Sequence, residues 1–506
     1  MLSFVDVADP QAIYSDEWDA VIVISADVCR CPITEVALLA SHAQEIDRRV
    51  GRVPVLLMAP GLAGGRLIVA PAQCDADYGD VSVFAAAAIQ AVTLAQDAGA
   101  TRPLLWVDNV PAVQCRQASA VAALACGQAL WQPLEARQAG VPTSIQQMGL
   151  MNAVLPAATL TALEAGRSFA RDLCGTEPER MSAIAFANTC TEAFAGSAVT
   201  VEVIAEPEML QREYPLLSAV ARASCAVPRH QPRVVKLEYC PSGPIEHTLL
   251  LAGKGVIYDT GGASLKVGGT MSGMSRDKGG AAAIAGLMLA LSKLQPTGVR
   301  VVAELGLVRN SIGSDAMVPD EIITTHAGIR VRIGNSDAEG RLVLTELLSH
   351  LRLQACDAAS PELISVATLT SHAARAFGSY PAMVFNSVAR ESALPEQLQH
   401  CATLMGEPMA LSPLHKEDFM NVADKTGAAD VISAKPVGSS QVERGHQLAA
   451  AFMLQASGLA AHGIAATKPL PFIHLDIAGA AVSGDPRYGK PTSTPLLALW
   501  SYLRRR

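Results

Sequence analysis

The chain has 506 residues, half of them hydrophobic, 17% charged and only 4% aromatic, so it has length for two or three domains and a core built from Ala, Val, Leu and Ile. A formal net charge of −8 argues against nucleic acid as the main partner. The eleven cysteines follow no regular spacing, and Cys29 and Cys31 form CxC with no answering pair; most read as reduced small hydrophobes of a cytosolic protein.

The opening stretch, MLSFVDVADPQAIYSDEW, has acidic residues early and no basic segment ahead of an apolar run, so no signal peptide is expected. Residues 1–154 are expected to form a smaller N-terminal α/β domain. Within it Asp19–Ser25 (DAVIVIS) and Arg102–Asp108 (RPLLWVD) read as strands, and VFAAAAIQAVTLAQDAG and SAVAALACGQALW as helices. No chemistry-bearing motif falls there. Residues 155–174 read as a helical connector, opened by Pro156, with Leu160, Leu163, Arg167, Phe169 and Ala170 continuing an amphipathic pattern. Over 175–506 short apolar runs alternate with helices: RVVKLEY, HTLLLAGKGVIYD, VRVVAELGLV, IRVRIGN, LISVATLT and PFIHLDIAG. Such Val-, Ile- and Leu-rich runs suit strands buried on both faces, which predicts a larger C-terminal α/β domain with a mostly parallel, helix-flanked central sheet. No uncharged apolar run reaches the ~18 residues of a membrane span. GGAAAIAGLMLALSKL comes nearest and is short and Ala/Gly-rich.

The charge of this larger half concentrates in three segments at strand ends, where ligand groups gather in such sheets. GKGVIYDTGGASLK carries Lys254, Asp259 and Lys266, and MSGMSRDKGGAAAIAG carries Asp277 at the start of a Gly/Ala-rich helix. GNSDAEGRLVLTELL carries Asp337, Glu339 and Arg341 just before a helix with Leu344, Leu347, Leu348 and Leu351 on one face. Four carboxylates pressed together in an apolar sheet repel one another and titrate upward, and keeping them ionised takes compensating positive charge. Two lysines and one arginine supply part of it and a pair of divalent ions the rest; carboxylate oxygens suit Mg, Mn or Zn. The Asp-x-Glu spacing of Asp337 and Glu339 is read as extended chain with both side chains on one side. Each position also has a plain structural reading: Asp277 as a helix cap, Lys254 as a turn lysine, Asp337 and Glu339 as first-turn residues, Lys266 as a solvated loop charge and Arg341 as a salt-bridge partner. Together, around three strand ends of a charge-poor half, they favour one shared site.

The three segments resemble, in order, the signature blocks of the leucyl aminopeptidase (cytosol aminopeptidase) family of two-metal metallopeptidases. NSDAEGRL matches the family's Asn-Thr-Asp-Ala-Glu-Gly-Arg-Leu with Ser336 for Thr, and GKGVIYDTGG-x3-K and M-x2-M-x2-D-x-GGAA match the other two. ATLT (Ala367–Thr370) and HLDIAG (His474–Gly479) match further segments, so the resemblance runs from about residue 170 to the end. It implies a catalytic domain over 175–506 that hydrolyses the N-terminal residue from peptides with a free N-terminus, through a two-metal-activated water. It implies that Asp259, Asp337 and Glu339, with the Asp337 carbonyl, hold one divalent ion, and that Lys254 (as a neutral amine), Asp259, Asp277 and Glu339 hold the other. Zn or Mn is the implied metal, with Mg or Co as alternatives. Lys266 would polarise the scissile carbonyl, and Arg341 would hold a bicarbonate serving as general base. Met274, Thr368, Leu369 and Ser371 would line the pocket for the first side chain. A cytoplasmic homohexamer goes with the family.

ATLTSHA stands where the family commonly reads ATLTGA, so Ser371 bears on the first-residue preference, and the adjacent His372 reads as a core or surface residue. The DTGG at Asp259–Gly262 imitates an aspartic-protease motif but has no second copy. Ser275-x-x-Lys278 and Lys425-Thr426-Gly427 imitate two of the three motifs of serine acylases, and the third is missing. HExxH, Walker A and Rossmann fingerprints are absent. The alternative from a different class is a catalytically weak or inactive family member serving as a scaffold or DNA-binding protein; the intact Lys266 and Arg341 and the acidic balance stand against it.

Overall fold

The fold was obtained as a computed structural model, which describes residues 2–108, 113–437 and 441–506. By its internal packing the chain divides into two units, residues 1–168 with 400–408, and residues 169–399 with 409–506.

The first unit is built on six strands, β1 (Ser3–Asp6), β2 (Ala20–Ser25), β3 (Val55–Met58), β4 (Arg66–Pro71), β5 (Pro103–Val107) and β6 (Gln147–Met151). They lie in the order β1-β6-β5-β2-β4-β3 and are parallel except for the edge strand β3. β2 and β5 are buried at every position, as their unbroken apolar runs require. The alanine-rich helices Ser82–Asp97 and Ala118–Leu130 pack against each other, since small side chains allow close approach. A helix runs over Ala157–Gly175, and Leu160, Leu163, Arg167 and Ala170 of the amphipathic pattern are buried. Its buried charges are compensated in part within one turn, by Arg167 and Glu164 at 3.1 Å.

The second unit opens with β7 (Val199–Ile204), β8 (Arg233–Tyr239), β9 (His247–Asp259) and β10 (Val299–Asn310). β11 (Ile322–Thr324) and β12 (Arg330–Arg332) leave the main sheet, and β13 (Pro361–Ala367), β14 (Ala382–Phe385) and β15 (Ala410–Pro413) return to it. β16 (Val431–Ile432) joins β11 and β12, and β17 (Phe472–Asp476) completes the eight-stranded order β15-β14-β17-β13-β9-β10-β8-β7. The centre, β17-β13-β9-β10, is parallel, and antiparallel pairs flank it. β9 is buried at every position except Tyr258.

Strand alternation fixes which helix meets which face of β9. A Cβ at Gly253 would stand 2.8 Å from Ala281 of the helix Gly279–Leu294, and one at Gly340 of the helix Glu339–Ala355 would stand 2.6 Å from the Lys254 stem. Neighbouring residues of one strand therefore face opposite helices. Lys254 sits inside the strand and not in a turn, which corrects the turn-lysine reading. Its neighbouring glycines bring a helix close to β9 on the opposite face.

No helix among the described residues is long and apolar enough to cross a membrane. All eleven cysteines are thiols, and six are buried.

Gly280 tests how tightly the first of these helices sits. A Cβ there would lie 2.0 Å from the Val366 carbonyl oxygen of β13. Helix propensity alone predicts that Gly280→Ala stabilises by about 1 kcal/mol. The contact predicts overpacking, worth about 1–3 kcal/mol in the other direction. Calorimetry of Gly280→Ala is expected to show a lower Tm; an unchanged or higher one would refute this packing.

Candidate metal centre

Asp259 ends β9, and its carboxylate is fixed by two donors: Oδ1 accepts from the Gly261 N–H and from Asn310 Nδ2, each at 2.8 Å. Asn310, the last residue of β10, also donates to the Ser336 carbonyl at 3.1 Å. Ser336 Oγ donates to the Gly261 carbonyl at 2.7 Å and accepts from the Ser264 N–H at 2.7 Å. These bonds tie the DTGG turn to the NSDAEGRL segment. Asn335 caps a 3-10 turn over Ser336–Ala338, its side chain accepting from the Asp337 N–H at 2.8 Å. The turn leads directly into the helix, of which Glu339 is the first residue. The extended Asp-x-Glu reading is thus corrected. The Asn335 cap starts a 3-10 turn at once, and ligand oxygens of Asp337 and Glu339 come within 4.8 Å of each other across the junction between that turn and the helix.

Ligand oxygens of Asp259, Asp337 and Glu339 all lie within 4.8 Å of one another. Lys266 Nζ bridges Asp259, at 2.9 Å, and Asp337. Lys254 Nζ lies 2.7 Å from Asp277 and 3.0 Å from Glu339, and donates to the Thr368 carbonyl at 2.8 Å. Glu339 therefore touches both halves of the cluster. Arg341, two residues into the same helix, donates from Nη1 to the Ser433 carbonyl at 2.8 Å, and its buried Nε has no partner. All seven charged positions read from the sequence line one cavity.

Burial sets the electrostatics. Asp277 and Asp337 are each pushed up to about 7, first by burial; neighbouring carboxylates raise them further, while Lys254 and Lys266 respectively oppose the rise. Glu339 is raised for the same reasons. Burial pulls the two lysines down, and the surrounding carboxylates more than reverse it, so both stand above the ordinary lysine range. Arg341 is lowered to about 10 by burial. The cluster has one more carboxylate than cations, and Glu339 Oε2 is buried with no hydrogen-bond donor. Hard oxygen donors, one amine and uncompensated negative charge fit a pair of divalent ions such as Zn or Mn.

The cavity, about 510 Å³, also takes in Met274, Thr368, Leu369 and Ser371. Thr368 is bound up with the cluster itself: its Oγ1 donates to Asp277 Oδ1 at 2.6 Å while its carbonyl receives Lys254. His372, half-buried, lines the cavity too. Gly445 gives its ring room, since a Cβ there would stand 2.3 Å from Nδ1. Two supporting residues escaped the sequence reading. Asn310 is one. Asp476, at the end of β17, is the other: it accepts from the Leu369 and Thr370 N–H groups and, at 2.6 Å, from Thr370 Oγ1. It shapes the turn that carries the pocket residues. Asp476 lies in the quoted HLDIAG and Asn310 two residues past VRVVAELGLV, and their position at strand C-termini was the available signal.

The model of the cytosol aminopeptidase family, catalytic domain, matches residues 168–499. A Caenorhabditis elegans protein named as an aminopeptidase is 36% identical over 429 residues, 83% of this chain and 81% of that one. A Synechococcus protein named as a cytosol aminopeptidase is 30% identical over 289 residues, 56% of each chain. Among solved structures, leucyl aminopeptidase from Trypanosoma brucei in complex with bestatin aligns at TM-score 0.82 and 22% identity, over 100% of this chain and 95% of that one. A bottromycin maturation enzyme in complex with Mn aligns at 0.78 and 23%, over 96% and 99%. At these identities the structural likeness is one of fold.

Asn310→Ala removes the side-chain donor that orients Asp259 while leaving every charged residue in place. Loss of such a supporting hydrogen bond costs roughly 10–100-fold in metal affinity. Competition with a chelator is expected to show that loss in Zn or Mn binding; parent-like affinity would show that Asn310 is not needed to aim the carboxylate.

Proposed function

The chain belongs to the cytosol aminopeptidase family and is a metallo-aminopeptidase, and from that premise we propose that the cluster around Glu339 is its catalytic centre. The observation that carries the proposal is the convergence of Asp259, Asp337 and Glu339 oxygens within 4.8 Å beside a buried, undonated Glu339 Oε2. Asp259, Asp337 and Glu339, with the Asp337 carbonyl, would hold one divalent ion, and Lys254, Asp259, Asp277 and Glu339 the second. Two such ions, Zn or Mn in our reading, supply Lewis acidity that makes water nucleophilic near neutral pH.

The chain's own groups then divide the remaining work. Lys254 would serve as a ligand only as the neutral amine, because the ammonium has no lone pair to donate. Lys266 keeps its charge, and its Nζ sits at the mouth of Asp259 and Asp337, placed to polarise the carbonyl of the first peptide bond and to stabilise negative charge as it develops there. Arg341 has one N–H committed to Ser433 and a second buried and free, which suits an arginine that grips a small anion. We assign it the bicarbonate that acts as general base. Met274, Leu369 and Ser371 form the wall for the first side chain, with Thr368 positioned between wall and ligands. Substrates are peptides with a free N-terminus. We further read the protein as a cytoplasmic homohexamer, a reading supported by its family and by the absence of any disulfide among eleven cysteines.

Two substitutions separate the assigned roles. Lys266→Ala is expected to keep both ions by elemental analysis and to lose turnover of Leu-amide by about 10²–10³-fold, the usual effect of removing one transition-state donor. Asp259→Asn is expected to lose ion occupancy itself. Parent-like hydrolysis by Lys266→Ala would remove that residue from the mechanism. A chelator should abolish activity in the parent and a serine-directed acylating agent should spare it; the reverse pattern would overturn the metallopeptidase chemistry of this site.

A further inference from the structure

A second constellation lies in the same unit, at residues the catalytic cluster does not use. Glu213 ends the helix Pro207–Glu213, His326 lies in the turn between β11 and β12, and His350 stands eleven residues along the helix that Glu339 opens. Each offers one ligand atom within 4.8 Å of the other two, and all three are partly buried. His326 Nε2 is 3.6 Å from Glu213 Oε2. The other carboxylate oxygen, Oε1, is held by Arg212 Nε at 2.7 Å.

The surroundings orient these groups as second-sphere bonds orient metal ligands. His326 Nδ1 bonds Ser349 Oγ at 2.8 Å, which turns Nε2 toward Glu213. Glu346, one turn before His350, is fully buried, and it accepts from the His326 N–H at 3.1 Å and from the Leu216 N–H at 2.8 Å. His350 Nε2 lies 2.8 Å from the Glu213 carbonyl. A carbonyl only accepts, so Nε2 donates. The His350 ring stacks on Tyr214 at 4.4 Å and on His326 at 3.9 Å. Two imidazolium rings do not stack at that separation, so at least one ring is neutral, the form that binds metals. Arg212 aside, the nearby cations are engaged elsewhere, Lys236 with Glu304 at 3.9 Å and Arg352 with the Ser457 carbonyl at 3.1 Å.

We propose that Glu213, His326 and His350 form a structural transition-metal site of the Zn²⁺ class, additional to the catalytic centre. Two imidazoles and one carboxylate are a borderline donor set that favours Zn over Mg or Mn. Binding draws the donors to about 3.3 Å apart, as zinc–ligand distances near 2 Å require, and opens the ring stack. The bound ion cross-links the end of one helix, a sheet turn and the helix whose first residue is Glu339. It thereby braces that helix some eleven residues from the catalytic end.

The test is zinc content per chain after loading with Zn²⁺ and dialysis, in the parent and in Asp259→Asn, each with and without His326→Gln. His326→Gln is expected to remove one zinc per chain in both backgrounds, and Glu213→Gln to do the same. In Asp259→Asn, Co²⁺ is expected to give visible d–d absorption that His326→Gln abolishes. Equal zinc content with and without His326→Gln, or a cobalt spectrum indifferent to it, overturns the proposal. The effect of Asp259→Asn itself is read separately, so failure of the catalytic assignment and failure of this one are distinguishable.

Discussion

Bringing four carboxylates into the apolar end of a parallel sheet is the constraint around which the second unit is arranged. Asp259, Asp277 and Glu339 are almost completely buried, and a carboxylate taken out of water needs paired charge or hydrogen bonds in its place. Lys254 and Lys266 each sit between two of the acids, which holds the cluster together, and even with Arg341 counted the four acids outnumber the cations by one. The members of this set are delivered from four places at once. β9 brings Lys254 and Asp259, the turn after it brings Lys266, one helix start brings Asp277 and another brings Glu339 and Arg341.

That delivery rests on supporting groups outside the charged cluster. Asn310 reaches from β10 to both Asp259 and Ser336, and Asp476 reaches from β17 to the turn after β13. The parallel strands β17, β13, β9 and β10 thus do more than form a core. Their adjacent C-terminal ends put the supporting side chains in register with the ligands, as open α/β sheets generally do.

Much of this was legible in the chain. HTLLLAGKGVIYD corresponds residue for residue to β9, and RVVKLEY to β8, because uninterrupted apolar runs bounded by turn residues leave little choice. The seven charged positions were legible because charge is scarce in this half. What failed was local geometry. Asp337 and Glu339 looked like alternate residues of an extended chain, whereas the Asn335 cap winds them into a helix start. β1, β3 and β14 are only four residues long and carry too little pattern to stand out. Asn310 and Asp476 gain meaning only from strands that are distant in sequence. His372 owes its place to the bare backbone of Gly445, a pairing no local motif records.

The double engagement of Thr368 sets unequal terms for any redesign of selectivity. Its hydroxyl grips Asp277 and its carbonyl grips Lys254, so the cavity wall and the charged cluster are joined at that point. Leu369 and Ser371, further along the same turn, line the cavity without either of those two bonds. If the cavity takes the first side chain as proposed, the wider latitude for a new first residue lies at those two positions, and a change at Thr368 disturbs Lys254 and Asp277 before it alters choice.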